Sequence, residues 1–277
     1  MENSTAEPSS SKANPTANAA VVVNCVPDPQ SAFAFQRRAL AEYPPTSITA
    51  DSLGEAEADD GHRYYIKGDA HGRPVRASEW ICSRLGERVG VAVPQVISIK
   101  LASKEVVFGS RRVTGVADSI STMNFLLTKT EGAHSNVVGM GALISSIFAF
   151  DMFVNNDDRH LGNYLSVDDG GQRRFFAFDF SRALFWEWPW AGFPAGNTQN
   201  CGRLLRARHG FDLTAAAGVL DRLSLVTASD MGVIINEMPP GWLTGSLQTE
   251  LLDWWGSSKR ADRIEALKEG MSDGTLL

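Results

Sequence analysis

Between residues 45 and 113 the apolar positions come in short runs of strand length, interrupted by one stretch of helical spacing. Arg63-Tyr-Tyr-Ile-Lys67 reads as a strand, and Glu55 to Gly61 ahead of it as an acidic, glycine-bearing turn of hairpin type. Ala77 to Val89 sets Trp80, Ile81, Leu85 and Val89 at helical spacing; Gly90 predicts the stop and Pro94 forbids continuation. Val96 to Leu101 and Glu105 to Phe108 read as two more strands. From Val137 to Val154 the chain is apolar on nearly all sides of a helix, which predicts a central buried helix. The polar stretch Asn155 to Asn163 follows, then strands at Tyr164 to Val167 and Phe175 to Phe178, joined by a turn at Asp168-Asp-Gly-Gly171. Residues 213 to 270 are helical in pattern, broken at Pro239-Pro-Gly241. The sum is an α+β chain: a small β-rich lobe over 31–115, a hinge near 108 to 116, and a larger α-helical lobe over 116–277.

Composition narrows the picture. The chain has 277 residues, 43% of them hydrophobic, enough for one large domain or two small ones. Residues 1–30 are rich in Ser, Thr, Ala, Asn and Pro and read as a disordered tail, within which Val21 to Val23 could at most add an edge strand. The formal net charge of −6 and the shortness of the basic cluster Arg203-Leu-Leu-Arg-Ala-Arg208 argue against a direct nucleic-acid partner. Cys25, Cys82 and Cys201 lie far apart without a CxxC pair, which fits a reducing compartment, and the five histidines form no zinc pattern. No signal peptide or membrane span is visible, so the expectation is a soluble, cytoplasmic protein with no membrane partner.

The chemistry gathers in Asn155-Asn-Asp-Asp-Arg-His-Leu-Gly-Asn163 and Phe178-Asp-Phe-Ser181. Asn and Asp oxygens are hard ligands suited to Mg²⁺, whose remaining positions take phosphates. Phosphoryl transfer needs such a clamp and a carboxylate that orients the attacking hydroxyl. Asp158 stands five residues before Asn163, the base-to-metal-ligand spacing of a kinase catalytic loop, and the following hairpin can return Asp179 beside Asn163. Asp and Asn runs are common in turns. The conjunction of buried helix, polar loop, hairpin and strand-end Asp is much rarer. Lys67 ends a strand, and Glu79 begins a helix twelve residues on, the arrangement that places ATP phosphates in kinases.

At these residues the chain resembles the HipA-like kinases. Phe150 to Leu165 is similar to their catalytic segment, Asn-x-Asp-x-His-x-x-Asn, and also to the Asp-Arg-His-x-x-Asn loop of phosphatidylinositol kinases. Tyr65-Ile-Lys67, Ser78-Glu-Trp80, Leu85 to Pro94, Phe108-Gly-Ser110 and Met238 to Leu243 resemble further segments of the family. The resemblance implies a protein-kinase-like fold using ATP and Mg²⁺. Asp158 is then the catalytic base, and Asn163 and Asp179 are the metal ligands. Lys67 contacts phosphates and pairs with Glu79, and backbone groups near Phe108 to Ser110 hold the adenine. Arg159 is expected to pair with Asp151, and His160 to hold the loop in shape. The phosphate-covering loop is expected within Asp51 to Gly61, although only Gly54 and Gly61 stand there and no GxGxxG. Asp-Phe-Ser replaces the usual Asp-Phe-Gly, and no Ala-Pro-Glu follows. The implied activity is transfer of a γ-phosphate to Ser or Thr of a protein, with a lipid or small-molecule kinase or an inactive ATP-sensing module as alternatives. The partners implied are a protein or small-molecule hydroxyl acceptor and a protein regulator. Trp186, Trp188 and Trp190 read as a cap on the helical lobe rather than a substrate platform. Thr46, Ser47, Thr49 and Ser52 read as solvated loop residues rather than autophosphorylation sites.

Overall fold

The computed structural model describes residues 36–45, 51–128, 139–169 and 172–277. The expected tail with Val21 to Val23, Cys25, Thr46, Ser47, Thr49 and the expected helix start at Val137 lie outside the described residues.

Five strands, β1 (Arg37–Tyr43), β2 (Ser52–Ala58), β3 (Arg63–Lys67), β4 (Val96–Lys100) and β5 (Val106–Arg111), form a barrel in the order β1-β2-β3-β5-β4. A short parallel contact of Arg37 and Arg38 with Ile99 and Lys100 closes it. The interior is narrow and filled by Ala56, Ala58, Tyr64, Ile66, Ile99 and Val107. That narrowness explains two differences from the sequence reading. Glu55 to Ala58 is strand, not turn: Gly54, Ala56 and Ala58 face inward while Glu55 and Glu57 alternate outward, and the chain turns only at Asp59 to Gly61. Small inward residues made a period-two pattern look like a polar loop. Strand β1 hides for the same reason, since Ala39 packs against the interior while Leu40 is exposed. Gly54 is required where β1 and β2 close together: its φ is +102°, and a Cβ there would stand 2.0 Å from the Tyr43 carbonyl oxygen.

Helix α1 (Val75–Arg88) packs under the barrel and is buried on most sides, through Trp80, Ile81 and Leu85. It ends as the glycine predicts: Gly90 takes φ +78°, and Val91 and Gly90 donate to the carbonyls of Gly86 and Glu87. The chain leaves β5 through 112–118 into a helix that the pattern did not reveal, α2 (Ser119–Leu127), capped by Asp118. The central helix α3 (Met140–Phe153) follows. Strands β6 (Tyr164–Asp169) and β7 (Gln172–Ala177) pair as the expected hairpin, with both strands longer at the turn end. Helices α4 (Asn197–His209), α5 (Leu213–Leu225), α6 (Ala228–Asn236), α7 (Gly245–Gly256) and α8 (Ser258–Ser272) complete the helical part. Among the described residues no helix is long and apolar enough to cross a membrane. Cys82 and Cys201 are buried free thiols.

Two tryptophans knit the barrel side to the helices. Trp80 donates its indole N–H to the Ile234 carbonyl at 3.1 Å, and Trp242 donates to the Val106 carbonyl of β5 at 3.1 Å. Their rings meet edge to face at 5.9 Å. The opposite end of α3 is held by Arg263 of α8, which donates to the carbonyls of Met152 (2.8 Å), Phe153 (2.9 Å) and Gly192 (2.8 Å) and to Asn155 Oδ1 (3.0 Å). These include C-terminal carbonyls of a helix, which lack partners in their own helix and favour a cation.

We expect Arg263→Met to lower stability by about 2–3 kcal/mol, because buried acceptors lose a charged donor. Arg263→Lys should recover only part, since an ammonium cannot span the same fork of acceptors. Chemical denaturation midpoints of the three proteins check both statements.

Candidate active site

Strand β3 alternates, so Tyr64 and Ile66 fill the barrel while Lys67 faces the helical part. Its ammonium Nζ lies 2.6 Å from Glu79 Oε1 on α1, 2.8 Å from Asp179 Oδ1 and 3.3 Å from Asp51 Oδ2. Burial alone would lower the lysine pKa, but the three carboxylates outweigh it and hold the group charged, well above its usual value. Burial pushes Glu79 up to about 7 against the pull of Lys67. For Asp179 burial acts upward too, but Lys67 and hydrogen bonds from Ser181 dominate and hold the carboxyl below its usual range. One oxygen each of Asp51, Glu79 and Asp179 lie within 4.8 Å of one another, with Lys67 paired to all three residues.

Asp179 stands just past β7 with φ +65°, a left-handed backbone uncommon for a residue with a side chain. Ser181 Oγ donates to Asp179 Oδ1 at 2.7 Å, the same oxygen that Lys67 meets, so Oδ2 is left for another cation. Asp-Phe-Ser in place of Asp-Phe-Gly thus supplies a hydroxyl that fixes the aspartate.

The polar loop is built around one buried guanidinium. Arg159 is 2% exposed and Asp151, on the last turn of α3, is fully buried. They form a two-pronged pair, Nε to Oδ2 at 2.8 Å and Nη2 to Oδ1 at 2.9 Å. Arg159 Nη1 also donates to the carbonyls of Asn163 (2.9 Å) and Phe178. The expected Arg159 to Asp151 pairing is therefore present and reaches the residue before Asp179. His160 Nδ1 accepts from Gly162 N at 3.1 Å and shapes the turn into a short 3-10 segment, Leu161–Asn163.

The adjacent carboxylates have different partners. Asp157 Oδ1 accepts from Gly196 N at 3.0 Å, whereas Asp158 Oδ1 accepts from Asn197 Nδ2 at 2.6 Å and Asp158 lines the main cavity. Asn163 Nδ2 donates to the Asp158 backbone carbonyl at 3.1 Å, which leaves Asn163 Oδ1 outside this bond; the residue is buried beside Asp158. Thr198 Oγ1 accepts from Arg159 N at 3.0 Å and donates to the Asn156 carbonyl. The N-terminal turn of α4 thus clasps the loop. Gly196-Asn-Thr198 was missed from sequence, and Asp51, Asn156 and Ser181 stood in the named segments without a role of their own. The readable signal was the run of capping residues at 196–198.

The cavity has a volume of about 710 Å³ and is lined by Lys67, Glu79, Phe108, Ser110, Asp158 and Asp179 among others. A second space of about 660 Å³ borders residues 112–119 and shares Tyr65, Ser119, Leu165 and Phe178 with the first. Two expectations are corrected here. The backbone of Phe108 to Ser110 cannot hold an adenine, because these residues pair with β3 on one side and β4 on the other. Phe108 and Ser110 still line the cavity, and the turn-forming linker begins only after Arg111. Most of the stretch expected to hold the phosphate-covering loop, Asp51 to Gly61, is strand β2, and of it only Asp51 and Ser52 line the cavity. The β1–β2 connection is 44–51, of which 46–50 lie outside the described residues. Trp188 and Trp190 pack with Trp254 in the helical part, as the cap reading expects, whereas Trp186 lines the cavity.

A family model described as HipA-like kinase matches from β2 to just past the tryptophan segment. Residues 55–189 match the HipA-like kinase family. The HipA-like segment is just short of half the chain and contains Lys67, Glu79, Phe108, Ser110, Asp158, Asn163 and Asp179. Among curated proteins no sequence matches this chain. The structure of the Helicobacter pylori proinflammatory kinase CtkA is similar over 82% of this chain and 96% of its own, at 15% identity and a TM-score of 0.54. A chain from the Shewanella oneidensis complex of HipA, HipB and operator DNA aligns over 83% of this chain and 66% of its own, at 11% identity and a TM-score of 0.47. The CtkA likeness supports a kinase-like α+β fold, and the family match points to a kinase.

Asp151→Ala should cost about 3–5 kcal/mol, because it strands the Arg159 guanidinium in the interior. A double change, Asp151→Leu with Arg159→Met, should cost less than the single one. Thermal or urea unfolding of the two variants decides this.

Proposed function

We propose that this chain is an ATP- and Mg²⁺-dependent kinase of two lobes, barrel and helical, transferring a γ-phosphate to a Ser or Thr hydroxyl of a protein. The observation that carries the reading is the convergence of Lys67, Glu79, Asp158 and Asp179 on one cavity, from elements far apart in sequence. The donor set fits a magnesium nucleotide. Asp179 Oδ2, on the cavity lining, and Asn163 Oδ1, buried beside Asp158, are hard oxygens outside the hydrogen bonds described above, and Lys67 is already charged and fixed by Glu79. Mg²⁺, when bound, supplies charge neutralisation at the phosphates.

The chain's own residues do the rest. Lys67 orients phosphate oxygens through its ammonium, and Glu79 holds that ammonium at 2.6 Å. Asp158 accepts the hydroxyl proton, with Asn197 Nδ2 holding the carboxylate through Oδ1. Asn163 ties its amide to the Asp158 carbonyl, so base and metal ligand hold a constant separation. Tyr65 and Leu165, shared by the two spaces, supply apolar surface for a base between barrel and hairpin. The protein acceptor rests on the HipA-like match. A lipid or other small-molecule hydroxyl is the rival.

Calorimetry with ATP, with and without Mg²⁺, beside phosphotransfer to a cell lysate and to small hydroxyl compounds, tests the reading. Asp158→Asn should keep Mg²⁺–ATP affinity and lose about 10²- to 10⁴-fold in turnover. Asp179→Asn should lose Mg²⁺-dependent affinity and turnover together. Asp157→Asn should bind and turn over nearly as the parent does. A well-folded parent that binds no nucleotide defeats the proposal. A dead Asp157→Asn beside an active Asp158→Asn defeats the assignment of the base.

A further inference from the structure

Three cations line the cavity that holds Asp158 and Asp179: Lys67, Arg111 and Arg182. Lys67 is held by three carboxylates, and Arg111 is engaged with Gln95 at 2.9 Å and with the His62 ring. Arg182 differs. Among the described residues its guanidinium makes no ion pair and no hydrogen bond, and its carbon Cζ lies 3.7 Å from the centre of the Trp186 ring. Trp186 is in turn met edge-on by His71 at 5.7 Å, and both rings line the same cavity. An arginine stacked on an indole keeps its charge at modest desolvation cost and keeps its planar fork of donors available.

The backbone that carries Arg182 is fixed on both sides. Its carbonyl accepts from Asp157 N at 3.3 Å, next to the proposed base. The neighbouring Ala183 carbonyl accepts from Ser78 Oγ of α1 at 3.2 Å, and Ala183 N donates to Phe180. The charge balance of the wall also calls for this cation. Asp51, Glu79, Asp158 and Asp179 face the cavity, against which Lys67 is already committed. A triphosphate placed there needs a positive group that the protein does not already use.

Resting on the kinase reading, we propose that Arg182 is an arginine supplied within the chain that binds the phosphoryl group in flight, with Trp186 as its positioning residue. In the step it serves, the acceptor oxygen forms a bond to the γ-phosphorus as the bond from that phosphorus to the β,γ-bridging oxygen breaks. The bridging electron pair leaves on ADP, and the hydroxyl proton passes to Asp158. Charge gathers on the three equatorial oxygens, where preorganised donors act most strongly.

The test uses the full chain, titrated calorimetrically with MgADP alone and with MgADP plus aluminium fluoride, a mimic of the planar phosphoryl group. In the parent, aluminium fluoride should tighten MgADP binding. Arg182→Met should bind MgADP within about twofold of the parent but lose roughly 10²-fold in affinity for the aluminium fluoride complex, the scale of one lost transition-state donor. Arg182→Lys should fall between. Trp186→Phe should retain the analogue affinity and Trp186→Ala should lose part of it. The parent's tryptophan emission should change when the analogue binds, and that change should shrink in Trp186→Phe. An unchanged analogue affinity in Arg182→Met, with MgADP binding intact, overturns this inference alone. Equal losses for MgADP and the analogue also overturn it, because they assign Arg182 to ground-state binding or to the fold. A parent that binds no MgADP overturns the nucleotide reading and this inference with it.

Discussion

The buried pair of Asp151 and Arg159 is the interaction on which the rest of the site depends. A carboxylate on the last turn of an apolar helix is costly unless it is matched, and the match here is two-pronged. The guanidinium then spends its remaining donor on the carbonyls of Asn163 and Phe178. One side chain thereby sets the distance between the loop that presents Asp158 and the strand end that presents Asp179. Such a pair adds little net stability over a well-packed apolar substitute. What it supplies is a unique arrangement of polar loops that hydrophobic packing alone does not specify.

Around that centre, two elements arrive from outside the loop. The first turn of α4 binds it through Gly196, Asn197 and Thr198, and Arg263 closes the end of α3 just ahead of it. Asn156 adds a bond to Asp151 at 2.9 Å. The loop's geometry comes from hydrogen bonds of two kinds: local ones to Asp151 and within the loop, and others from neighbours that lie 39 or more residues away in sequence.

Legibility in the sequence followed the size of the side chains. Strand β3 and the helix after it were readable because Tyr64, Ile66, Trp80 and Leu85 mark their periods with large apolar groups. The lysine and glutamate they carry followed at once. Strands β1 and β2 were not, because a narrow barrel takes Ala and Gly inward and leaves Leu40 and Glu57 outside. That misreading placed the expected phosphate-covering loop about one strand too late. Phe108 to Ser110 was misplaced for a related reason: a strand with partners on both sides and a glycine at its centre reads like a linker. Asp151, Arg159, Asp158 and Asp179 were legible because their residue types are rare in their surroundings. Asp51, Ser181 and Asn197 were not, since only the tertiary fold brings them to the site.

The contact between Lys67 and Asp179 joins residues 112 apart and spans the barrel and the helical part. On the proposed reading it sets up a competition. Asp179 already has a counter-ion, so an arriving metal is weighed against an internal ammonium. Drawing the carboxylate away would strand Lys67 among burial and two remaining acids unless an anion took its place. Metal and polyphosphate entering together satisfy both halves of the broken pair, whereas either alone leaves one charge exposed to the other's absence. The site is thereby biased toward the complete salt over its separate ions.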